Sequence, residues 1–467
     1  MKRVAMILVL AMMLSLTACF SSETDLPTAG VSASADPSGA PSGTPQESAA
    51  PSSEPSGTVP DESLPPADEI VLPERDIAGK KLTMMSWWTP PIDPDDPETL
   101  YNRFREWYGA ELILETTAWE DLTTELYARV MSGTPPDIIM MRPGDWPGHA
   151  LGDLLTPITQ YFDLSSNLWK DDAGMIEWLK FNGEIYNVPT EVTNYLYVWY
   201  NQNIIDMYGL EPPRELLARG EWTFEKFREY AIMTTDLNSD IQVFGIAGQP
   251  WSLIWPILAS LGTDVLKRNG DEYFLNLDDP RVNLAMQTLY DLYNTDNVVT
   301  DAVRGQRLFN NGQATFYMDG IWAGNTEPML SMYQKGTISF IEFPRWDKNE
   351  PERLFATLNS FGVPRGVASV EASIAVIDAF KYNRLMFSEE SHKRYGRSDE
   401  DIELIRQADA KAIFLDSLFD VFQPQIGALA WGVSINETPW ATIKSEYAPP
   451  FQQAIDEFMA RLSGAGE

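Results

Sequence analysis

The sequence predicts an α/β protein of two lobes, each a mainly parallel sheet flanked by helices. Two observations carry this expectation. Strand and helix signals alternate from Lys81 to Met141, the pattern of parallel strands joined by right-handed crossovers. After a change of composition near Glu74, about 390 residues remain, more than one hydrophobic core usually serves.

The chain opens with Lys2 and Arg3, an apolar run from Val4 to Leu16, and Leu16-Thr17-Ala18-Cys19. This is the pattern of a secretory signal, too short and too early for a membrane span. The last four residues resemble a bacterial lipobox, which implies cleavage before Cys19 and a lipid on its thiol. An ordinary signal with an incidental cysteine is the alternative. Cys19 is the only cysteine among 467 residues, so no intramolecular disulfide can form. From Phe20 to Glu74 the chain is rich in Ser, Pro, Ala, Gly and Thr and has no Lys or Arg. Such a segment cannot offset its ordering entropy and reads as a disordered tether over residues 19–74.

The formal net charge of -34 argues against nucleic acid, whose phosphates need clustered Lys and Arg. It favours solubility and says little about a substrate.

Within the body, Lys81–Ser86 reads as a strand. Asp96-Pro97 reads as a helix start, Leu100, Phe104 and Trp107 form one face, and Gly109 is the stop. Glu111–Glu115 is a second strand; Leu122, Leu126 and Val130 mark a helix that Gly133 ends; Asp137–Met141 is a third strand. Ligands of such sheets collect at the carboxyl ends of strands. Here those ends carry Trp87-Trp88 and Gly144-Asp145-Trp146. Farther on, Thr223 reads as the N-cap of a helix with Phe227 and Tyr230 inside, and Asp279-Pro280 as the start of one carrying Leu284, Leu289 and Leu292. Asp378–Tyr382 and Asp401–Phe419 read as helical.

Phe309–Gly324, FNNGQATFYMDGIWAG, reads as a helix end, a short strand over Ala314–Met318, and a turn presenting Asp319 and Trp322. A carboxylate accepts hydroxyl hydrogen bonds, and an indole face covers the apolar C–H face of a pyranose. A strand whose Trp plugs the core has the same signature. The stretch resembles the matching segment of the maltose-binding-protein-like family, the sugar-binding lipoproteins that serve ABC importers. Other segments resemble it in the same order: SGTPPDIIMMRPGDW; Gly183–Glu191 followed by Tyr197–Asn201; Gln249–Pro256; Asn359–Pro364; and Pro424–Trp431.

The resemblance implies a periplasmic-binding-protein-like fold, with lobe 1 made of residues 75–190 and 344–415 and lobe 2 of residues 191–343 and 416–467. It implies that Trp322 stacks on a sugar, that the loop with Asp145 and Trp146 supplies an acid and an aromatic, and that Trp251 and Trp431 stack as well, with Trp440 a rival of Trp431. Glu191, at the crossing between lobes, becomes an acceptor for hydroxyls, and Trp88 joins the set from the first strand's end. A turn-capping role for Asp145 and a hinge-bracing role for Glu191 stay open. The implied protein is a monomer anchored through Cys19 on the outer face of the cell membrane. It would close about a hinge on a carbohydrate and pass it to an importer permease, with no cofactor or metal and no catalysis. A secreted glycoside hydrolase and a binder of peptides or other solutes are the alternatives.

His149 and His392 lie apart from any residues at ligand spacing, which disfavours a histidine-based metal or nucleophile site. No Gly-rich phosphate cradle follows a strand. Asp236–Asp240 has the oxygen spacing of a calcium loop, but Ile241 stands in place of the turn glycine and Ala247 in place of the closing Glu, so a plain loop is expected.

Overall fold

The computed structural model describes residues 69–88, 96–192, 196–269, 272–300, 305–416 and 422–463. Cys19, the signal segment and the tether up to residue 68 lie outside the described residues. The body begins earlier than residue 75. Ile70 is buried in the first core with Leu72 packed against it, because these two apolar side chains find a surface there that the polar tether lacks.

Strands β1 (Lys81–Ser86), β2 (Glu111–Thr116) and β3 (Ile138–Met141) alternate with helices α1 (Leu100–Tyr108) and α2 (Leu122–Ser132). Both helices end on a left-handed glycine, Gly109 and Gly133, whose N–H caps the last carbonyls. The start of α1 is set by Thr99, whose hydroxyl accepts from the Asn102 N–H; Asp96 instead receives the Glu98 N–H in a turn upstream. β3 is buried along its whole length, as a central strand of a covered parallel sheet must be.

β4 (Asn187–Val192) is followed by β5 (Tyr197–Asn201), α3 (Phe224–Thr234), β6 (Phe244–Ala247) and α4 (Pro250–Ser260). The hairpin β7 (Leu266–Asn269) and β8 (Glu272–Leu275) precedes α5 (Pro280–Tyr290). Then come β9 (Ala314–Asp319), β10 (Ile338–Ile341), β11 (Leu354–Phe355) and β12 (Leu358–Gly362). The chain ends with α6 (Val370–Arg394), α7 (Asp399–Asp409), β13 (Ala412–Ile413), α8 (Gln423–Ser434) and α9 (Trp440–Leu462). Thr223 and Asp279 cap α3 and α5 as expected. Leu284 faces solvent, and Val282, Ala285, Met286 and Leu289 form the buried face of α5 instead. The expected helix over Asp401–Phe419 stops at Asp409, because Ala412 and Ile413 pair with Leu354 and Phe355 as a strand.

The main sheets have the orders β2-β1-β3-β12-β4 and β10-β5-β9-β6. In the first, β1, β2 and β3 are parallel, while β12 runs against both β3 and β4. Side chains alternate across it: Met84, Ile138 and Met140 join the core shared with α1 and α6, and Met85, Ile139 and Met141 join the core that extends into the second sheet. Helix α6 packs on β4 and α1. Its Asp378 accepts from Arg75 (2.6 and 2.9 Å) and the Trp169 indole (3.1 Å), which ties the chain's entry to this core. Asp401 of α7 instead bonds Arg214 and Tyr333, among elements of the second sheet. The range 344–415 is thus shared between the two halves.

Register places the two sheets edge to edge. Ser86 is level with Thr116, β3 ends beside the start of β12, and Leu358 at that start faces Val192 at the end of β4. The ends of β1 to β4 therefore share one edge. Only residues 193–196 separate β4 from β5, and Tyr197 at the head of β5 faces Asp319 at the tail of β9. β6 is parallel to β9, so its end lies there too.

Two predictions follow from packing and burial. A Cβ on Gly245 would stand 2.3 Å from the Ala231 carbonyl oxygen of α3, so Gly245→Ala should cost about 1–3 kcal/mol in denaturant unfolding. Burial, with Asp264 adding to it and Arg268 opposing it, pushes the Asp416 carboxyl up to about 7 from 3.8. Between those values the folded protein holds a proton that the unfolded chain has released, so Asp416 lowers stability as pH rises through that window. Asp416→Asn should melt above the parent at pH 8 and with it near pH 4; parallel melting curves across the range would contradict this burial effect.

Candidate functional site

The facing edges carry indoles. Five of the 15 tryptophans are between 38% and 50% exposed: Trp88, Trp119, Trp251, Trp322 and Trp431. Trp88 and Trp119 follow β1 and β2, Trp322 follows β9, Trp251 opens α4 and Trp431 lies in α8.

On the first sheet, Trp88 leaves β1 with its backbone N–H on Ser86 Oγ (3.1 Å). Trp119, in the loop after β2, packs edge-on against Trp87 at 5.0 Å. The Arg142 guanidinium lies 5.3 Å from the Trp119 ring and donates to its carbonyl (2.5 Å). Trp119 was not among the expected contacts. The signal was present, since it follows a parallel strand as Trp88 does.

Asp145 and Trp146 turn inward. Asp145 is 1% exposed, and its carboxylate accepts from the Arg142 backbone N–H (2.8 Å), the Arg142 guanidinium (2.6 Å) and Thr123 Oγ1 (3.3 Å). That is the turn-capping arrangement the sequence also allowed. His149 sits 3.2 Å from Thr123, and burial lowers its pKa, which keeps the ring neutral. Trp146 is buried against Phe181 and Tyr186. A ligand at this edge would therefore meet Trp88, Trp119 and Arg142 first. Glu191 pairs through its backbone with Asn359; its side chain lies outside the described residues.

On the second sheet, the turn after β9 explains its own sequence. The Trp322 ring folds back over Gly320, where a Cβ would fall 1.6 Å from the ring. Gly324 faces Trp199, whose ring would meet a Cβ at 2.2 Å. Trp199 donates its indole N–H to the Gly320 carbonyl (3.2 Å). Asp319 accepts from the Gly320 N–H (2.8 Å) and from the Tyr317 hydroxyl. Burial holds its carboxyl above the usual range, against the pull of those two bonds. Asp319 thus braces the turn from within.

Trp251 stands in the first turn of α4 and donates to Gln249 Oε1 (2.6 Å). Its neighbour Trp255 is buried, stacked on Phe355 at 5.7 Å. Trp251 and Trp431 of α8 line a cavity of about 360 Å³ with Gly427, Ala428 and Ala430. Gly427 leaves it open, since a Cβ there would meet nothing within 4 Å. Trp440 belongs to the core, with its indole on Asn283 (2.7 Å).

The arrangement offers flat apolar faces and few free charges. Among the described residues no group of three or more His, Cys, Asp or Glu side chains is gathered to hold a metal. Asp236 spends its carboxylate on the Asn238 and Ser239 N–H groups of its own turn. Among the described residues no helix is long and apolar enough to cross a membrane.

Comparison with known proteins agrees with this architecture. The model of the family described as bacterial extracellular solute-binding protein matches residues 83–392. The diacetylchitobiose binding protein DasA of Streptomyces coelicolor is 23% identical over 296 residues, 62% of this chain and 66% of that one. An uncharacterized ABC transporter extracellular-binding protein of Pyrococcus horikoshii is 26% identical over 140 residues, 28% of this chain and 31% of that one. The chain thus matches less than two thirds of the length of each. Among solved structures, the ABC substrate-binding protein Lmo0181 of Listeria monocytogenes, in complex with cycloalternan, superposes with a TM-score of 0.62 at 15% identity, covering 82% of this chain and 99% of that one. The GacH receptor of Streptomyces glaucescens, known unliganded and with acarbose, gives 0.61 at 15% identity, covering 81% and 99%. At that identity the likeness speaks for the fold, which is the two-lobed fold of periplasmic binding proteins. A family match over most of the chain, on a body with the same architecture, makes this chain a member of the bacterial extracellular solute-binding proteins.

Proposed function

We propose that the protein captures a carbohydrate, an oligosaccharide rather than a single sugar, between its lobes and delivers it to the permease of an ABC importer. The observation that carries this reading is the set of five half-exposed indoles, with Trp88 and Trp119 after β1 and β2, Trp322 after β9, Trp251 at the start of α4 and Trp431 beside it. Two indoles can sandwich one pyranose; five suit a chain of rings. The relatives that bind diacetylchitobiose, cycloalternan and acarbose support the same class of ligand.

The mechanism is closure about the crossings. A ligand seated on Trp251, Trp322 and Trp431 meets Trp88 and Trp119 only when the lobes approach, and that difference in contact shifts the population toward the closed form. The permease then receives the closed shape. Catalysis has no part in this reading. Asp145 and Asp319 are bonded to their own turns, whereas glycoside hydrolysis needs two carboxyls free to face the bond from opposite sides. Lipidation of Cys19 would hold the monomer on the outer face of the membrane, with the acidic tether as spacer.

A thermal-shift panel containing N,N′-diacetylchitobiose, cycloalternan, maltotetraose and acarbose tests the ligand class. A binder at 100 times its Kd should add about 2.7 kcal/mol of stability. No shift from any carbohydrate, with a shift from peptides, would move the cargo to another class. For the binder found, Trp322→Ala and Trp119→Ala should each lose roughly 1–3 kcal/mol of affinity while the free protein melts as before. Affinity unchanged in both would remove the stacking account.

A further inference from the structure

The link between α6, which packs on the first sheet, and α7, which packs with the second, carries Arg397. This side chain is 4% exposed. Its Nη2 donates to the Ile321 carbonyl (3.1 Å) and to Asn325 Oδ1 (2.7 Å), and its Nη1 to the Tyr395 carbonyl (3.3 Å). The guanidinium stands 4.8 Å from the Tyr333 ring centre and 5.8 Å from that of Phe340. Its Nε has no partner, and no carboxylate among the described residues pairs with it.

A buried cation that lacks a direct ion pair is costly even with Asp401 near enough to favour its charge, since burial still outweighs that help, and an apolar side chain of similar volume would fill the same space at less cost. Besides its ring contacts and the field of Asp401, what Arg397 gains comes from its bonds. Two of the three go to the turn Ile321–Asn325, which presents Trp322. The same turn is also held by Trp199, which donates to the preceding carbonyl, that of Gly320. Trp199 lies in β5, directly after the first crossing, and Arg397 lies on the last link. The turn is therefore held by one donor from β5, the strand entered after the first crossing, and one from the last link.

We propose that Arg397 is a positioning residue: it fixes the Trp322 indole in its presenting orientation and couples that orientation to the α6–α7 link. The contribution to binding rests on the carbohydrate reading above; the contribution to the ring does not.

The test uses the whole folded chain labelled with 5-fluorotryptophan, with the Trp322 fluorine line assigned by its loss in Trp322→Phe. Without ligand, Arg397→Ala should shift and broaden the Trp322 line and leave those of Trp88, Trp119 and Trp251 in place. Asn325→Ala, which removes one acceptor and keeps the cation, should move the same line by less. A Trp322 line unchanged in the folded variants overturns the proposal, and Asn325→Ala alone decides it if Arg397→Ala does not fold. Calorimetric titration with N,N′-diacetylchitobiose and maltotetraose then reads the consequence. Arg397→Ala should weaken the bound sugar at least fivefold in the parent and leave it unchanged when Trp322 is already Ala; equal losses in both backgrounds would overturn action through Trp322. Failure of both sugars to bind the parent would count against the carbohydrate reading alone, since the fluorine lines are read in their absence.

Discussion

Register between antiparallel neighbours governs this molecule. In the first sheet β12 alone runs against its neighbours, so β4 runs the same way as β1, β2 and β3 and delivers the chain to the edge where they finish. β5 then starts at the edge where β6 and β9 finish. Had β4 been antiparallel to β3, the crossing would leave from the opposite edge and the two sets of loops would not meet. A one-residue slip in such a sheet would reverse every side chain. The buried alternation of Met84 with Met85, and of Met140 with Ile139 and Met141, holds the pairing in place.

Much of the fold was legible because its signals are local. Gly109 and Gly133 end their helices, Thr223 and Asp279 begin theirs, and the apolar run from Ala314 becomes a strand, each for reasons contained within a few residues. The first helix start was legible only approximately, since Asp96 and Thr99 both suit a cap and only backbone geometry selects Thr99. The stretch after Asp409 was not legible, because the strand there depends on Leu354 and Phe355, far away in the chain.

At the site, ring types and loop positions could be read, but not the direction in which side chains point. Asp145 and Trp146 occupy the expected loop, yet Arg142 and Thr123 draw the acid inward and Phe181 and Tyr186 cover the indole. Trp119 passed unnoticed although the rule that identified Trp88 applies to it equally. Arg397 could not have been found from spacing, since its acceptors lie 72 and 76 positions earlier. Gly320 and Gly324 show the opposite case. Gly320 read as ordinary turn chemistry, and only the folded chain shows that it and Gly324 each make room for an indole.

The fold-back of Trp322 over Gly320 bears on how tightly a guest can be held. A ring already lodged on its own turn has few rotamers left to forfeit when something settles against it, so the association free energy is not drained by freezing that side chain. The turn is in this respect preorganised, and selectivity among related guests should reside in how long each stays rather than in how fast it arrives.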